Sequence, residues 1–147
     1  MEPSLIEIGE TAHALRRAFD RRASALGVTK AQWRVLVKVS RYPGLRQVEL
    51  ADHLDIEPIT LCRIVDRLEE SGLIERQRDP ADRRAWLLHL TEKAGPLIDK
   101  LKVIGAALSD EAFAGLSQTE VETLRRALAT VRDNVAALQP SKKASNQ

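Results

Sequence analysis

The sequence predicts a mainly helical chain that carries one small β-hairpin, and three observations support this fold class. Apolar side chains recur at helical spacing on both flanks of a central segment. From Gln47 to Asp66, small and apolar residues stand where two crossed helices must touch. Two strand-like runs around a polar loop follow directly. Residues 47–84 are therefore predicted to form a winged helix-turn-helix between long flanking helices.

Two helices precede this motif. The first is predicted from Ser4 to Leu26, and Gly27 ends it as a glycine at the C′ position commonly does. Its inward positions, with Arg22 as the one polar interruption, are Leu5, Ile8, Ala12, Leu15, Phe19 and Leu26. Thr29 caps a second helix, which carries Trp33, Leu36, Val37 and Val39. The turn residues 42–44, Tyr-Pro-Gly, end that helix before the motif begins.

The helix-turn-helix is predicted from the side chains that its crossing requires. These are Leu50, Ala51, Leu54, Ile56, Leu61 and Ile64. Asp55 stands in the turn, where a left-handed backbone is favoured, and Asp tolerates that conformation better than most residues. Pro58 opens the second helix without losing a hydrogen bond. Apolar spacing continues through Val65 and Leu68, and Ser71-Gly72 ends the helix.

The remaining elements follow in order. Strands are predicted at residues 73–77 and 85–90, with the turn-forming pair Asp79-Pro80 in the loop between them. Thr91 begins a long helix whose apolar side is Leu97, Leu101, Ile104 and Leu108. Ser117 and Glu120 form a capping box that starts the last helix. Its stripe is Val121, Leu124, Leu128, Val131, Val135 and Leu138, and such a stripe needs a helical partner.

Composition restricts the function classes. Aromatic residues make up only 3% of the chain, which argues against a base-stacking surface for single strands or RNA. The net charge is only +2, so a nucleic-acid surface depends on where individual arginines point. One cysteine excludes an intrachain disulfide framework. No secretory signal and no membrane-length apolar run are found, so we expect a cytoplasmic protein with no membrane partner.

Five residues of the motif's second helix are candidates for DNA contact. Arg63 and Arg67 are four residues apart and share the face opposite the buried stripe. A helix of this size fits the major groove, where arginine binds guanine O6 and N7. Thr60 can reach a phosphate, a base edge or a thymine methyl, and Pro58 and Ile59 can make apolar base contacts. The alternative is that the two arginines pair with neighbouring acids on a solvated face.

The loop between the strands supplies a second candidate. Its triplet Asp82, Arg83 and Arg84 stands at a tip just after the recognition helix. A loop in this place can insert an arginine into a narrow minor groove, where the potential is most negative. Asp82 can fix the arginine geometry by charge-assisted hydrogen bonds. The alternative is a chance triplet on a surface, which the strand-flanked position disfavours.

The segment IEPITLCRIVDRLEESGLIERQRDPADRRAWLLHLTEKA resembles the signature of the MarR family of winged-helix regulators, close to its SlyA-like branch. GVTKAQWRVL before the motif and two long helices after it also match. The resemblance implies a triangular homodimer, with recognition helices in successive major grooves and wings in the flanking minor grooves. By position it assigns DNA contact to Thr60, Arg63, Arg67, Arg83 and Arg84, and wing bracing to Asp82.

This resemblance predicts one domain over residues 1–147. Helices within 4–44 and 91–139 would form the dimer base and support, 45–90 the winged helix-turn-helix, and 140–147 a flexible tail. The apolar stripes of the first and last helices predict a homodimer independently. A two-fold dimer places its recognition helices about 34 Å apart, so we expect an inverted repeat in double-stranded DNA as the target.

An effector site is a weaker expectation. MarR relatives often bind aromatic acids or other amphipathic anions between the dimer base and the winged lobe. Trp33, His13 and Arg16 can line such a cleft, and candidate effectors are an aromatic carboxylate or an acyl-CoA thioester. The alternative is that Trp33 is a core residue and that His13 and Arg16 are solvated.

Other sites are not indicated. Cys62 lies on the recognition helix, where a small residue near DNA is a simpler explanation than a redox switch. The three histidines, at 13, 53 and 89, have no metal-ligand spacing, so no metal or other cofactor is expected.

The sequence therefore predicts a dimeric, sequence-specific transcriptional regulator, most often a repressor that a small effector relieves. The alternative within this class is a constitutive or architectural DNA-binding regulator without a physiological ligand. No phosphate-binding glycine loop or nucleophile elbow supports an enzyme. A protein–protein adaptor with the same fold predicts an acidic or neutral recognition face, whereas this chain keeps its arginines there.

Overall fold

The computed structural model of the chain describes residues 2–139, in which helices predominate. In order, the elements are α1 (Pro3–Ala23), α2 (Lys30–Arg41), β1 (Leu45–Arg46), α3 (Gln47–Leu54), α4 (Pro58–Glu70), β2 (Ile74–Arg78), β3 (Trp86–Leu90), α5 (Gly95–Ala112) and α6 (Gln118–Leu138). Short 3-10 turns follow α1 and precede α5. The predicted mainly helical class with a winged helix-turn-helix is confirmed. The tail predicted at 140–147 lies outside the described residues.

The predicted helix boundaries depend on local signals that the structure contains. Thr29 and Ser117 each accept a hydrogen bond from the backbone three residues later, and the residue at that position returns one, which forms two capping boxes. Asp55 has a φ of 51°, so it takes the left-handed turn conformation expected between α3 and α4. Gly72 ends α4 with a φ of 77°, where a Cβ would be strained.

The wing belongs to a three-stranded antiparallel sheet in the order β1-β3-β2. The hairpin of β2 and β3 pairs Ile74 with Leu90 and Arg78 with Trp86. On its other side, β3 pairs with β1 through Leu45 opposite Leu88. The sequence did not predict β1, because a two-residue strand has no alternation to detect. It joins the sheet directly to the start of α3.

The described residues form two compact units, one ending at Leu108 and the other starting at Ser109. In the first unit, one core is shared by α1, α2, the helix-turn-helix, the sheet and α5. Its fully or nearly buried apolar residues are Ala23, Val35, Leu36, Val39, Leu50, Ala51, Leu61, Val65, Leu68, Ile74, Leu88, Ala94, Ile98 and Leu101. The buried face of α2 is therefore Val35, Leu36 and Val39. Val37, predicted on that face, is instead 38% exposed.

Apolar side chains are exposed on α1 and, separately, on α6. Only the last part of α1 packs on the core, through Phe19, Ala23 and the following Leu26. Leu5, Ile8 and Leu15 are exposed, although their spacing matches the predicted inward face. On α6, considered by itself, the exposed stripe residues are Leu124, Val131, Val135 and Leu138. Within residues 2–139, no helix combines the length and apolar character needed to cross a bilayer.

Candidate nucleic-acid interface

The face of α4 away from the core is polar and cationic. Thr60, Arg63 and Arg67 are exposed there, while Leu61, Val65 and Leu68 are buried on the opposite face. Pro58 and Ile59 form the exposed start of the helix, and Ile59 is 63% exposed. The structure thus places all five predicted contact residues on one accessible end and face of α4.

Asp66 and Glu69 of α4 bind a different arginine. Asp66 Oδ1 lies 2.7 Å from Arg76 Nη1, and Glu69 Oε1 lies 3.1 Å from the same atom. Within residues 2–139, neither Arg63 nor Arg67 has a hydrogen bond or an ion pair with a carboxylate. Arg63 and Arg67 are thus not paired with Asp66, Glu69 or Glu70, as the alternative of a self-paired solvated face would require. Both guanidinium groups keep their donors for an external acceptor.

Arg76 joins β2 to both helices of the motif. Its side chain is only 10% exposed, and its Nε donates to Gln47 Oε1 at the start of α3 over 2.9 Å. Its Nη2 donates to the carbonyl oxygen of Cys62 in α4 over 3.2 Å. Together with the two ion pairs, these bonds hold α4 against the sheet. The sequence did not indicate this role, because the partners are 7 to 29 residues away along the chain.

The wing loop has two internal braces and an exposed tip. The Arg78 guanidinium lies 3.8 Å from the centre of the Trp86 ring and donates to the Arg83 carbonyl oxygen over 2.6 Å. Asp82 Oδ1 accepts from the backbone N–H of Arg84 over 3.1 Å and lies 3.4 Å from its Nε. The Arg84 side chain is nevertheless 93% exposed. These contacts match the predicted bracing of an arginine by Asp82.

A second carboxylate anchors the base of the loop. Asp79 is 7% exposed, and its Oδ2 lies 2.6 Å from Arg46 Nη2 of β1. The pKa of Asp79 is lowered mainly because the backbone N–H of Ala81 donates to its carboxylate; Arg46 lowers it further, and burial opposes both. The pKa of Asp82 is lowered mainly by the backbone N–H of Arg84. Both side chains are therefore ionised where the loop meets solvent at neutral pH.

Comparisons with known proteins identify the family. A sequence model of the MarR family matches residues 28–86. The solved transcriptional regulator PA3341 is 33% identical over 90% of this chain and 97% of its own, with a TM-score of 0.82. The transcriptional regulator SlyA is 30% identical over 92% of this chain and 96% of its own, with a TM-score of 0.77. The chain belongs to the MarR family.

A further neighbour adds a bound nucleic acid. A MarR family regulator from Listeria monocytogenes, solved in complex with a 26mer DNA, is 28% identical over 100% of this chain and 99% of its own, with a TM-score of 0.82. As a MarR family member, this chain is a DNA-binding transcriptional regulator. Its family and structural neighbours are transcriptional regulators rather than enzymes.

Two larger cavities adjoin α2 in the first unit, beside a smaller one of about 200 Å³ that Arg63 and Arg67 help to line. The apolar cavity has a volume of about 460 Å³ and is lined by Phe19, Trp33, Val37, Ser40, Arg41, Ile98, Leu101, Lys102 and Gly105. The basic cavity has a volume of about 480 Å³ and is lined by Arg16, Trp33, Arg34, Val37, Lys38, His53, Leu54 and Asp55. Two of the predicted effector residues, Arg16 and Trp33, thus meet in the basic cavity. His13 is exposed on α1 and lines neither cavity.

Trp33 has a structural role as well. Its indole Nε1 donates to the largely buried Asp20 carboxylate, and its ring centre lies 4.3 Å from that of Phe19. The same carboxylate lies 3.6 Å from an Arg34 nitrogen and 3.8 Å from Lys30 Nζ. These contacts fix the indole between the two cavities. The sequence suggested Trp33 as a cleft residue but did not indicate that Asp20 orients its ring.

Cys62 lies where α4 packs against the sheet. Cys62 is half-buried, and its Sγ lies 3.7 Å from Arg76 Nη2 in the helix–sheet contact. Across residues 2–139, no group of three or more His, Cys, Asp or Glu side chains is arranged to hold a metal ion. The thiol thus contacts the buried arginine that holds α4.

Proposed function

We propose that this chain acts as a homodimer that binds an inverted repeat in duplex DNA and represses transcription by occluding the promoter. The observation that carries the proposal is that Arg63 and Arg67, on the exposed face of α4, have no carboxylate partner within residues 2–139. The family of DNA-binding regulators to which the chain belongs supports it. In this proposal, residues 45–90 bind DNA, and helices within 4–44 and 91–139 provide the dimer base and support.

The proposed contacts divide between two grooves. In the major groove, Arg63 and Arg67 bind base edges or phosphates. Thr60, whose side chain is shorter, makes a polar contact there. Pro58 and Ile59 give apolar contacts at the tip of α4. In the flanking minor groove, the negative potential attracts the positive charges of Arg84 and Arg83. Asp82 braces the tip of the loop. Phosphate contacts position the protein and base-edge contacts specify the site.

The proposed dimer is supported by the uncovered stripes of α1 and α6. Leu5 is 60% exposed and Leu138 is 82% exposed, and contiguous apolar residues of this kind usually mark an interface. Leu124 and Val131 lie in the middle of the α6 stripe. Leu124→Asp with Val131→Asp should therefore convert a dimer to a monomer in sedimentation velocity. Val48→Asp, at a 62% exposed position of α3 outside the proposed dimer base, should not. A wild-type monomer at micromolar concentration would contradict the dimer.

DNA binding through α4 can be tested separately from dimerisation. Arg63→Ala with Arg67→Ala should abolish specific binding in fluorescence anisotropy titrations and leave the sedimentation coefficient unchanged. Lys100→Ala with Lys102→Ala removes the same number of positive charges from exposed positions of α5, away from the proposed DNA contacts, and serves as the matched control. Full binding by the double variant would contradict the assignment of α4.

We also propose that an effector releases the DNA by binding beside Trp33 and Arg16. The support is the size of the two cavities on α2, which falls within the range of small-molecule sites. An effector that binds more tightly when the two DNA-binding lobes are spaced wrongly for successive major grooves shifts the dimer population towards that spacing. The affinity for DNA then falls. An aromatic carboxylate and an acyl-CoA thioester are the predicted classes, and His13 stays a predicted contributor.

A further inference from the structure

We propose that the small cavity between the start of α2 and α4 binds one phosphate of the DNA backbone, and that Gln32 and Arg67 hold this phosphate. The inference rests on the proposed DNA binding and adds a third element, α2, to the interface. It also assigns different roles to the two arginines of α4, because Arg67 binds the backbone and Arg63 is left to read a base edge.

The small cavity is cationic and has a volume of about 200 Å³. Two arginines and no carboxylate line it, so the lining has a net charge of +2. It shares no lining residue with the two larger cavities, and its volume is below the roughly 300–1,000 Å³ of small-molecule sites. A single phosphate group therefore fits it better than a whole effector. The lining residues are Thr29, Ala31, Gln32, Thr60, Arg63, Ile64 and Arg67.

Gln32 is oriented by the capping box at the start of α2. Its Oε1 accepts from the backbone N–H of Thr29 over 3.1 Å, and its own backbone N–H donates to Thr29 Oγ1 over the same distance. Because the amide oxygen is held in this way, the group that Gln32 has left to offer is its NH2. This NH2 has no hydrogen bond within residues 2–139, although Gln32 lines the small cavity. The donors of α2 at the cavity are thus side-chain groups, since the box already uses the backbone N–H groups of both residues.

Arg67 is the arginine placed for the backbone. In a helix-turn-helix, residues near the start of the recognition helix reach the base edges. Because α4 starts at Pro58, Arg63 lies in its second turn and Arg67 one turn further along. Both arginines are exposed, and neither has a carboxylate partner within residues 2–139. Arginine and glutamine are both common donors to DNA phosphates, so Arg67 and Gln32 form a suitable pair.

A phosphate in the small cavity links two helices that share one core. Both α2 and α4 bury apolar side chains in that core, so their relative position does not depend on DNA. A contact from each helix to one phosphate therefore sets how α4 enters the major groove, but it does not distinguish one base from another. Loss of the Gln32 contact should lower the affinity for all duplexes by the same factor.

A charge series at Gln32 separates phosphate binding from helix capping. Gln32→Glu keeps the capping box, because Glu serves at this position as Gln does, but it replaces the two donors by a negative charge. Gln32→Lys breaks the box and supplies a positive charge. In anisotropy titrations, we expect Gln32→Glu to weaken binding about tenfold or more and Gln32→Lys to bind at least as tightly as wild type. Thermal unfolding should rank the two variants in the opposite order.

Two controls accompany the series. Lys100→Gln, on exposed α5, changes the net charge by the same amount as Gln32→Glu and should leave the affinity nearly unchanged. Inorganic phosphate in place of chloride, at equal ionic strength, should not compete with DNA for wild-type protein. Competition that Gln32→Glu abolishes would assign the cavity to a free anion and overturn the DNA assignment.

Single methylphosphonates then locate the phosphate. Each replaces one charged phosphate of a half-site by a neutral group, and the position that fills the cavity should lose affinity. At that position, Arg67→Ala should cause little further loss, and Gln32→Glu should lose its penalty because no charge remains to repel it. The loss from Arg63→Ala should add in full, as expected for a separate contact.

The outcomes separate this inference from the proposed function. If affinity follows helix stability, with Gln32→Glu tight and Gln32→Lys weak, Gln32 is a cap alone and the inference is wrong. Coupling of the methylphosphonate to Arg63 instead of Arg67 overturns the assigned roles. Wild-type binding with no preferred sequence would refute the proposed regulator, whereas the Gln32 series on a random duplex would still decide the phosphate site.

Discussion

Replacing Arg76 by methionine tests how the recognition helix is held in place. The arginine side chain is 10% exposed and links β2 to Asp66 and Glu69 of α4 and to Gln47 of α3. Methionine fills much of the volume of the arginine stem but donates no hydrogen bond. The substitution therefore removes the polar contacts while leaving most of the packing.

The expected loss follows from the exposure of the partners. Asp66 and Glu69 are 52% and 45% exposed, so both carboxylates regain water when the arginine is removed. Each ion pair is therefore discounted to about 0.5–1 kcal/mol, the upper part of the range of exposed pairs, because the arginine itself is only 10% exposed. The hydrogen bond from the guanidinium to the uncharged amide oxygen of Gln47 adds about 1 kcal/mol. We expect Arg76→Met to lower the free energy of unfolding by about 2–3 kcal/mol.

Urea denaturation followed by circular dichroism measures this change. With a denaturant slope of roughly 2 kcal/mol per molar urea, the midpoint should fall by about 1 M or more. Protein concentration must be equal for all variants, because dimer stability depends on it. Arg21→Met, at an exposed arginine of α1, is the matched control. A midpoint for Arg76→Met equal to that of the control would refute the bracing role.

Three further predictions concern DNA recognition and the wing. Arg63→Ala should reduce discrimination between the best site and single-mismatch sites by about 1–3 kcal/mol in anisotropy titrations, with Lys100→Ala unchanged; an equal loss on every duplex would mean a phosphate contact instead. Arg84→Ala should weaken binding to all duplexes and reduce the slope of log affinity against log salt by about 1; an unchanged slope would remove the wing tip from the interface. Since the folded pKa values of Asp79 and Asp82 are lowered, their stabilisation is present above the unfolded pKa of about 3.9 and is lost as pH falls through the folded values. Asp79→Asn should flatten the acid limb of the stability curve, and an identical acid limb would contradict the anchoring role.

Features that depend on neighbouring residues could be predicted from the sequence. Thr29 and Ser117 mark helix starts because a capping box needs only residues three apart. Asp55 could be assigned to a left-handed turn because the apolar residues on both sides fix where the turn must lie. The helical spacing on α4 separates a buried face from an exposed one, and the predicted DNA-contact residues lie on the exposed one.

Features that depend on pairs of residues far apart in the sequence could not be predicted from it. The ion pair of Arg46 with Asp79 and the position of the Arg78 guanidinium over Trp86 both need the strand register, which the sequence does not state. Val35 and Val37 stand in one apolar stretch of α2, and the spacing of that stretch does not state which side faces the core. The packing partners of α2 decide it, and they bury Val35 but leave Val37 exposed. The apolar cavity depends in the same way on Trp33 and Gly105, which lie on different helices.

Selection of binding sites from random duplex DNA at near-physiological salt tests the central claim most directly. The account predicts an enriched inverted repeat whose half-sites lie about one helical turn, roughly 10 base pairs, apart. Arg63→Ala should relax the preference within each half-site without altering their spacing. Enrichment of a single unrepeated site, or salt-sensitive binding with no enriched sequence, would contradict dimeric recognition through α4.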